Sequence, residues 1–95
     1  MTSKQRAVLK GAAMNMQPIF QIGKGSLTPE VTAAVAEALE ARELIKINVL
    51  KNCLDDTNVL AQTLVERTHS TLVQVIGKKI VLYKPAADPK DRKYE

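Results

Sequence analysis

LVQVIGKKIVLY, Leu72 to Tyr83, is the most informative stretch of this chain. Two runs rich in β-branched residues, Leu72 to Ile76 and Lys79 to Tyr83, flank the dipeptide Gly77-Lys78. A two-residue connection that opens with glycine fits a type II′ hairpin, whose first central residue needs a positive φ. The chain therefore ends its folded part on an antiparallel pair, and the residues before it must supply the rest of a sheet and its cover.

Upstream of the hairpin the hydrophobic period changes. Leu60, Ala61, Leu64 and Val65 recur at helical spacing over about Thr57 to Thr68, with Asp55 or Asp56 available as a cap. Leu44 to Leu50 alternates, with Ile45, Ile47 and Val49 on one face and Lys46 and Asn48 on the other, as in a strand with one wet side. Thr28-Pro29 starts a helix: Thr caps the free N–H groups, and Pro at the first position gives up an N–H that had no partner. Val31, Ala34, Val35, Ala38 and Leu39 then form one apolar stripe ending near Arg42. Ile19 to Ile22 reads as a short buried strand after Pro18, and Ser3 can cap a first helix reaching about Met14.

The order is thus α-β-α-β-α-β-β. Right-handed crossovers put the second and third helices on one face of a mixed four-stranded sheet if the strand order advances in one direction. The expected fold class is an α/β two-layer sandwich. The pattern does not fix where the first helix docks. After Pro85 the chain is polar and proline-punctuated, so residues 1–84 are expected to form the domain and 85–95 a frayed polar tail.

With 95 residues, 45% apolar and 25% charged, the chain suits one globular domain. Phe20, Tyr83 and Tyr94 are the only aromatics, so the core has to be aliphatic. The single cysteine, Cys53, rules out an internal disulfide and suits a reducing compartment. No signal-peptide run or membrane-length apolar segment is present, and a cytoplasmic protein without membrane partners is expected. Charge is segregated along the chain. Residues 1–29 carry Lys4, Arg6, Lys10 and Lys24 with no acid, residues 30–66 hold three bases and seven acids, and residues 67–84 carry Arg67, Lys78, Lys79 and Lys84 with no acid. A fold that joins the two acid-free segments makes a basic face suited to a polyanion.

Catalytic equipment is sparse. His69 stands alone near a helix end, where satisfying a last-turn carbonyl is the better reading. Cys53 has no base near it in sequence, and the adjacent Asp55 and Asp56 suit a helix cap. No enzyme, metal site or cofactor is expected. The segment Gly23-Lys24-Gly25-Ser26-Leu27-Thr28 lacks the spacing of a P-loop. It does place two glycines around a lysine just before a helix N-terminus, where backbone N–H groups, ammonium and helix dipole can meet a phosphate.

The run LKGAAMNMQPIFQIGKGSLTPEVTAAVAEALEARELIKINV, followed by VQVIGKKIVLYK, resembles the CRM domain, the chloroplast RNA splicing and ribosome maturation domain. It is most similar to the small stand-alone bacterial members of the YhbY type. The resemblance extends from about Lys4 to Lys84 and rests on the combination of LKG, the glycine loop, ELIK and the hairpin. It implies an αβαβαββ sandwich related to the C-terminal domain of translation initiation factor three. It also implies binding to RNA, and for the bacterial members association with precursors of the large ribosomal subunit.

The family's GxxG loop, compared with the backbone-clamping loop of KH domains, maps onto Gly23, Lys24, Gly25 and Ser26, with Ser26 in place of the last glycine. If that position needs φ > 0, Ser26 is strained or Gly25 takes over the conformation. The expected RNA contacts are Gly23, Lys24, Gly25 and Ser26, supported by Lys46, Lys78, Lys79, Lys84, Lys4, Arg6 and Lys10. The expected protein is a monomeric, non-enzymatic binder of ribosomal RNA acting in large-subunit assembly, with ribosomal proteins as further partners. An adaptor docking on a ribosomal or assembly protein is the alternative.

Overall fold

A computed structural model describes residues 1–94. Its elements are α1 (Ser3–Met14), β1 (Phe20–Ile22), α2 (Pro29–Arg42), β2 (Leu44–Val49), α3 (Thr57–Thr68), β3 (Thr71–Ile76) and β4 (Lys79–Tyr83). The helix starts follow their caps. Thr28 accepts from the Val31 N–H at 3.2 Å, and Asp56 accepts from the Val59 N–H at 3.3 Å. At α1 the cap is Thr2 and not Ser3: its hydroxyl accepts from Gln5 N–H and its carbonyl from Arg6 N–H, each at 3.0 Å. Thr2 is extended (φ −81°, ψ 162°) while Ser3 is already helical, which makes Thr2 the half-in residue.

The sheet order is β1-β2-β4-β3, with β1 and β2 parallel and the other pairs antiparallel. The hairpin thus folds back so that β4 sits centrally and β3 takes the edge. Gly77 has φ +56°, as the type II′ turn requires of its first central residue. Ile45, Ile47 and Val49 with Ile80 and Leu82 face α2 and α3, where they pack on Val35, Leu39, Leu60 and Leu64. Burying each such side chain stabilises the fold by about 1.5–3 kcal/mol. Cys53 lies buried in this same cluster.

α1 lies on the opposite face of the sheet. Leu9 and Ala13 pack on Leu44, Val73, Val81 and Tyr83. A bulge between Leu72 and Gln74 places Val73 in this second cluster, and Arg6 on α1 donates to the Leu72 and Val73 carbonyls at 2.8 and 2.6 Å. A bulge leaves backbone groups outside the ladder, and a guanidinium fork can satisfy two of them together. Lys46, on the supposedly wet side of β2, is half-buried under this helix, and its ammonium donates to the carbonyls of Ala13 and Met16 at 3.0 and 3.3 Å.

Of the tail expected to fray, residues 85–94 are held in place, and Glu95 lies outside the described residues. Glu43 is buried, with 2% of its surface exposed, and its carboxylate accepts from the N–H groups of Ala86 (3.1 Å) and Lys93 (2.7 Å). Arg92 Nε donates to the Ala86 carbonyl at 2.8 Å, and the Tyr94 ring meets Tyr83 edge to face at 6.3 Å. Composition marked these residues as polar. What holds them is a buried carboxylate that reads in sequence as one more helix-end acid.

Candidate nucleic-acid interface

β1 and β2 run parallel, so their C-terminal ends, Ile22 and Val49, emerge at the same end of the sheet. Asn48 pairs with Lys79, which brings the Gly77-Lys78 turn to that end as well. Two backbone bonds fasten the three segments: Leu50 N–H donates to Ile22 O at 2.8 Å, and Val49 N–H to Lys78 O at 2.7 Å. The Gly23–Ser26 loop continues from β1 at this junction.

The loop is a four-residue turn closed by Ser26 N–H on Gly23 O at 2.9 Å. Gly23 lies close to its neighbours: a Cβ there would be 3.3 Å from Asn52 Oδ1 and 3.4 Å from Leu50 Cδ1, so a side chain would fit only with a small shift of Asn52. Ser26, and not Gly25, takes the left-handed conformation, with φ +54°. Its hydroxyl donates to the Asp55 carboxylate, which ties the loop to the residue just before the α3 cap. Lys24 and Gly25 stand exposed at the tip.

The expected site residues divide into three groups. Lys24, Lys78 and Lys79 converge at the loop end, with Gly23, Gly25 and Ser26. Lys51, which the sequence reading did not single out, joins them: it is exposed and shares a concave surface with Asn52 and Lys78. Its signal is the parallel pairing of β1 with β2, which puts the residues after both strands side by side. Lys10 and Lys46 share a groove with Lys79 on the α1 face.

Lys84, Lys4 and Arg6 belong elsewhere. Lys84 follows the far end of β4, where its ammonium donates to Thr68 O at the α3 C-terminus (3.1 Å). Such a cation answers the negative end of a helix dipole. Lys4 shares a shallow surface with Tyr94, and Arg6 serves the bulge. His69 is the αL residue after α3 (φ 55°), and its backbone N–H donates to Val65 O. Among the described residues no group of three or more His, Cys, Asp or Glu is placed to hold a metal ion, and no helix is long and apolar enough to cross a membrane.

Fold and site together define a small α/β module that presents a lysine-tipped turn and three further lysines at one end of its sheet. The chain belongs to the CRS1/YhbY (CRM) domain family, whose model matches residues 1–84. It is 49% identical over 90 residues to the probable RNA-binding protein YqeI of Bacillus subtilis, covering 95% of this chain and 94% of that one. It is 33% identical to an RNA-binding protein of Haemophilus influenzae, covering 95% and 91% of the two chains. The solution structure of the hypothetical protein SAV1595 from Staphylococcus aureus matches it with a TM-score of 0.80 at 45% identity, over 100% of this chain and 99% of that one.

Proposed function

We propose that this protein binds RNA through the end of the sheet that carries Lys24, Lys51, Lys78 and Lys79, and that its target is ribosomal RNA in precursors of the large subunit. The observation that carries the reading is the convergence of the Gly23–Ser26 turn, the Leu50–Cys53 turn and the hairpin tip at one place. Lys24, Lys51 and Lys78 on the three turns, with Lys79 at the start of β4 beside them, can neutralise successive phosphates of one strand. The similarity to a probable RNA-binding protein and to an RNA-binding protein supports the same class of ligand. Lys10 extends this surface along the α1 face, whereas Lys46, Lys84 and Arg6 donate to backbone carbonyls and serve mainly to hold the fold, and Lys4 stands exposed beside Tyr94. The protein acts as a cytoplasmic, monomeric binding module without a catalytic step.

Crosslinking in cells followed by sequencing of the bound RNA tests the target. Enrichment of immature large-subunit ribosomal RNA, lost in a Lys24→Ala, Lys78→Ala double variant, is the expected result. Recovery of messenger RNA alone would move the protein out of ribosome assembly. Recovery of no RNA would favour the adaptor reading.

A further inference from the structure

Gly11 lies inside α1, one turn before its end, where glycine is less favourable to the helix than alanine. Nothing inside the protein asks for it. Its φ is not positive, and a Cβ built there meets no atom within 4 Å. What lies in front of it is a groove of about 520 Å³ between α1 and the uncovered part of the sheet. That volume is within the roughly 300–1,000 Å³ typical of small-ligand sites.

Gly11, Met14 and Ile76 form an apolar lining, Gln74 offers an amide, and Lys10 and Lys79 stand at the rim. Met14 and Ile76 are 74% and 59% exposed, which leaves two large apolar groups without cover across one groove. Lys79 adjoins Lys78 of the loop-end cluster, so the groove continues the cationic surface proposed above.

We propose that this groove takes an unpaired nucleobase of the bound RNA strand, with Lys10 and Lys79 on its flanking phosphates and Gln74 facing the base edge. The inference rests on the RNA reading above. The charge around the groove suits a polyanion, and an apolar slot along a phosphate-binding surface is what a splayed-out base fills. Glutamine offers a donor and an acceptor side by side, which match a base edge. Gly11 keeps the slot open at the expense of helix stability.

The test compares a dodecamer of uridylates with its fully abasic counterpart, which retains every phosphate. Wild-type protein should prefer the uridylate, and Gly11→Leu, which fills the groove without altering charge, should weaken uridylate binding roughly tenfold, the loss expected when one apolar contact is blocked. Affinity for the abasic strand should stay unchanged. A Gly11→Ala control should melt at or above the wild-type temperature. Equal affinity of wild type for both strands, or an equal loss on both in Gly11→Leu, would overturn the base site while leaving phosphate binding in place. Failure of both strands to bind at low salt would overturn the RNA reading as well. Unchanged uridylate binding in Gly11→Leu would reassign the groove to an apolar segment of a protein partner.

Discussion

Ser26 carries the main local tension of the proposed interface. A left-handed backbone brings Cβ close to its neighbours and costs a non-glycine residue about 1–2 kcal/mol. Ser26 holds that conformation at φ +54° while its hydroxyl bonds to Asp55. Glycine would relieve the strain and lose the bond, whereas alanine would lose the bond and keep the strain. An exposed hydrogen bond of this kind is worth about 0.5–1.5 kcal/mol. Ser26→Gly is therefore expected to melt close to wild type, and Ser26→Ala about 1 kcal/mol below Ser26→Gly. Equal melting temperatures for the two variants would show that the backbone at this position is unstrained. The glycine loop was legible in sequence as two competing conformations, and only the positive φ at Ser26 separates them. The Asp55 partner was not legible, because the pair lies 29 residues apart.

Among the elements, the hairpin was the most legible, because Gly77-Lys78 between two β-branched runs leaves few other conformations. The helices α2 and α3 were nearly as clear, since Thr28-Pro29 and Asp56 mark their starts chemically. The bulge at Val73 was hidden, since its stabilising partner is Arg6, which precedes it by 67 residues. The C-terminal segment was misread for a similar reason. Its polar composition argues for fraying, but Glu43 collects two of its N–H groups beneath the surface. Glu43→Ala leaves those donors unpaired and should cost about 1–3 kcal/mol of stability. Amide exchange should then accelerate at Ala86 and Lys93 while the β4 amides stay protected. Unaltered protection at Ala86 and Lys93 would show that the segment is held by other contacts.

In the molecule as a whole, the sheet converts a segregated sequence into two separate cationic ends. Charge counting singled out the first and third segments, but it could not say which of their bases meet. The five residues of β4 separate Lys78 from Lys84 by about 17–20 Å at roughly 3.4 Å per residue. That exceeds the Debye length of about 8 Å at physiological salt, so the two ends act independently on exposed phosphates. Lys51 was invisible to the same counting because it lies in the acidic middle of the chain. Whether phosphates are held at the Gly23–Ser26 end is read directly from the salt dependence of binding to a structured ribosomal RNA fragment. With four contacts, log affinity should fall against log salt with a slope of about −3. Lys24→Ala, Lys51→Ala and Lys78→Ala should each reduce the slope's magnitude by about 0.7–0.9, and Lys84→Ala should leave it unchanged. A flat dependence in the wild type, or a slope that responds to Lys84 and not to Lys24, would contradict the claim.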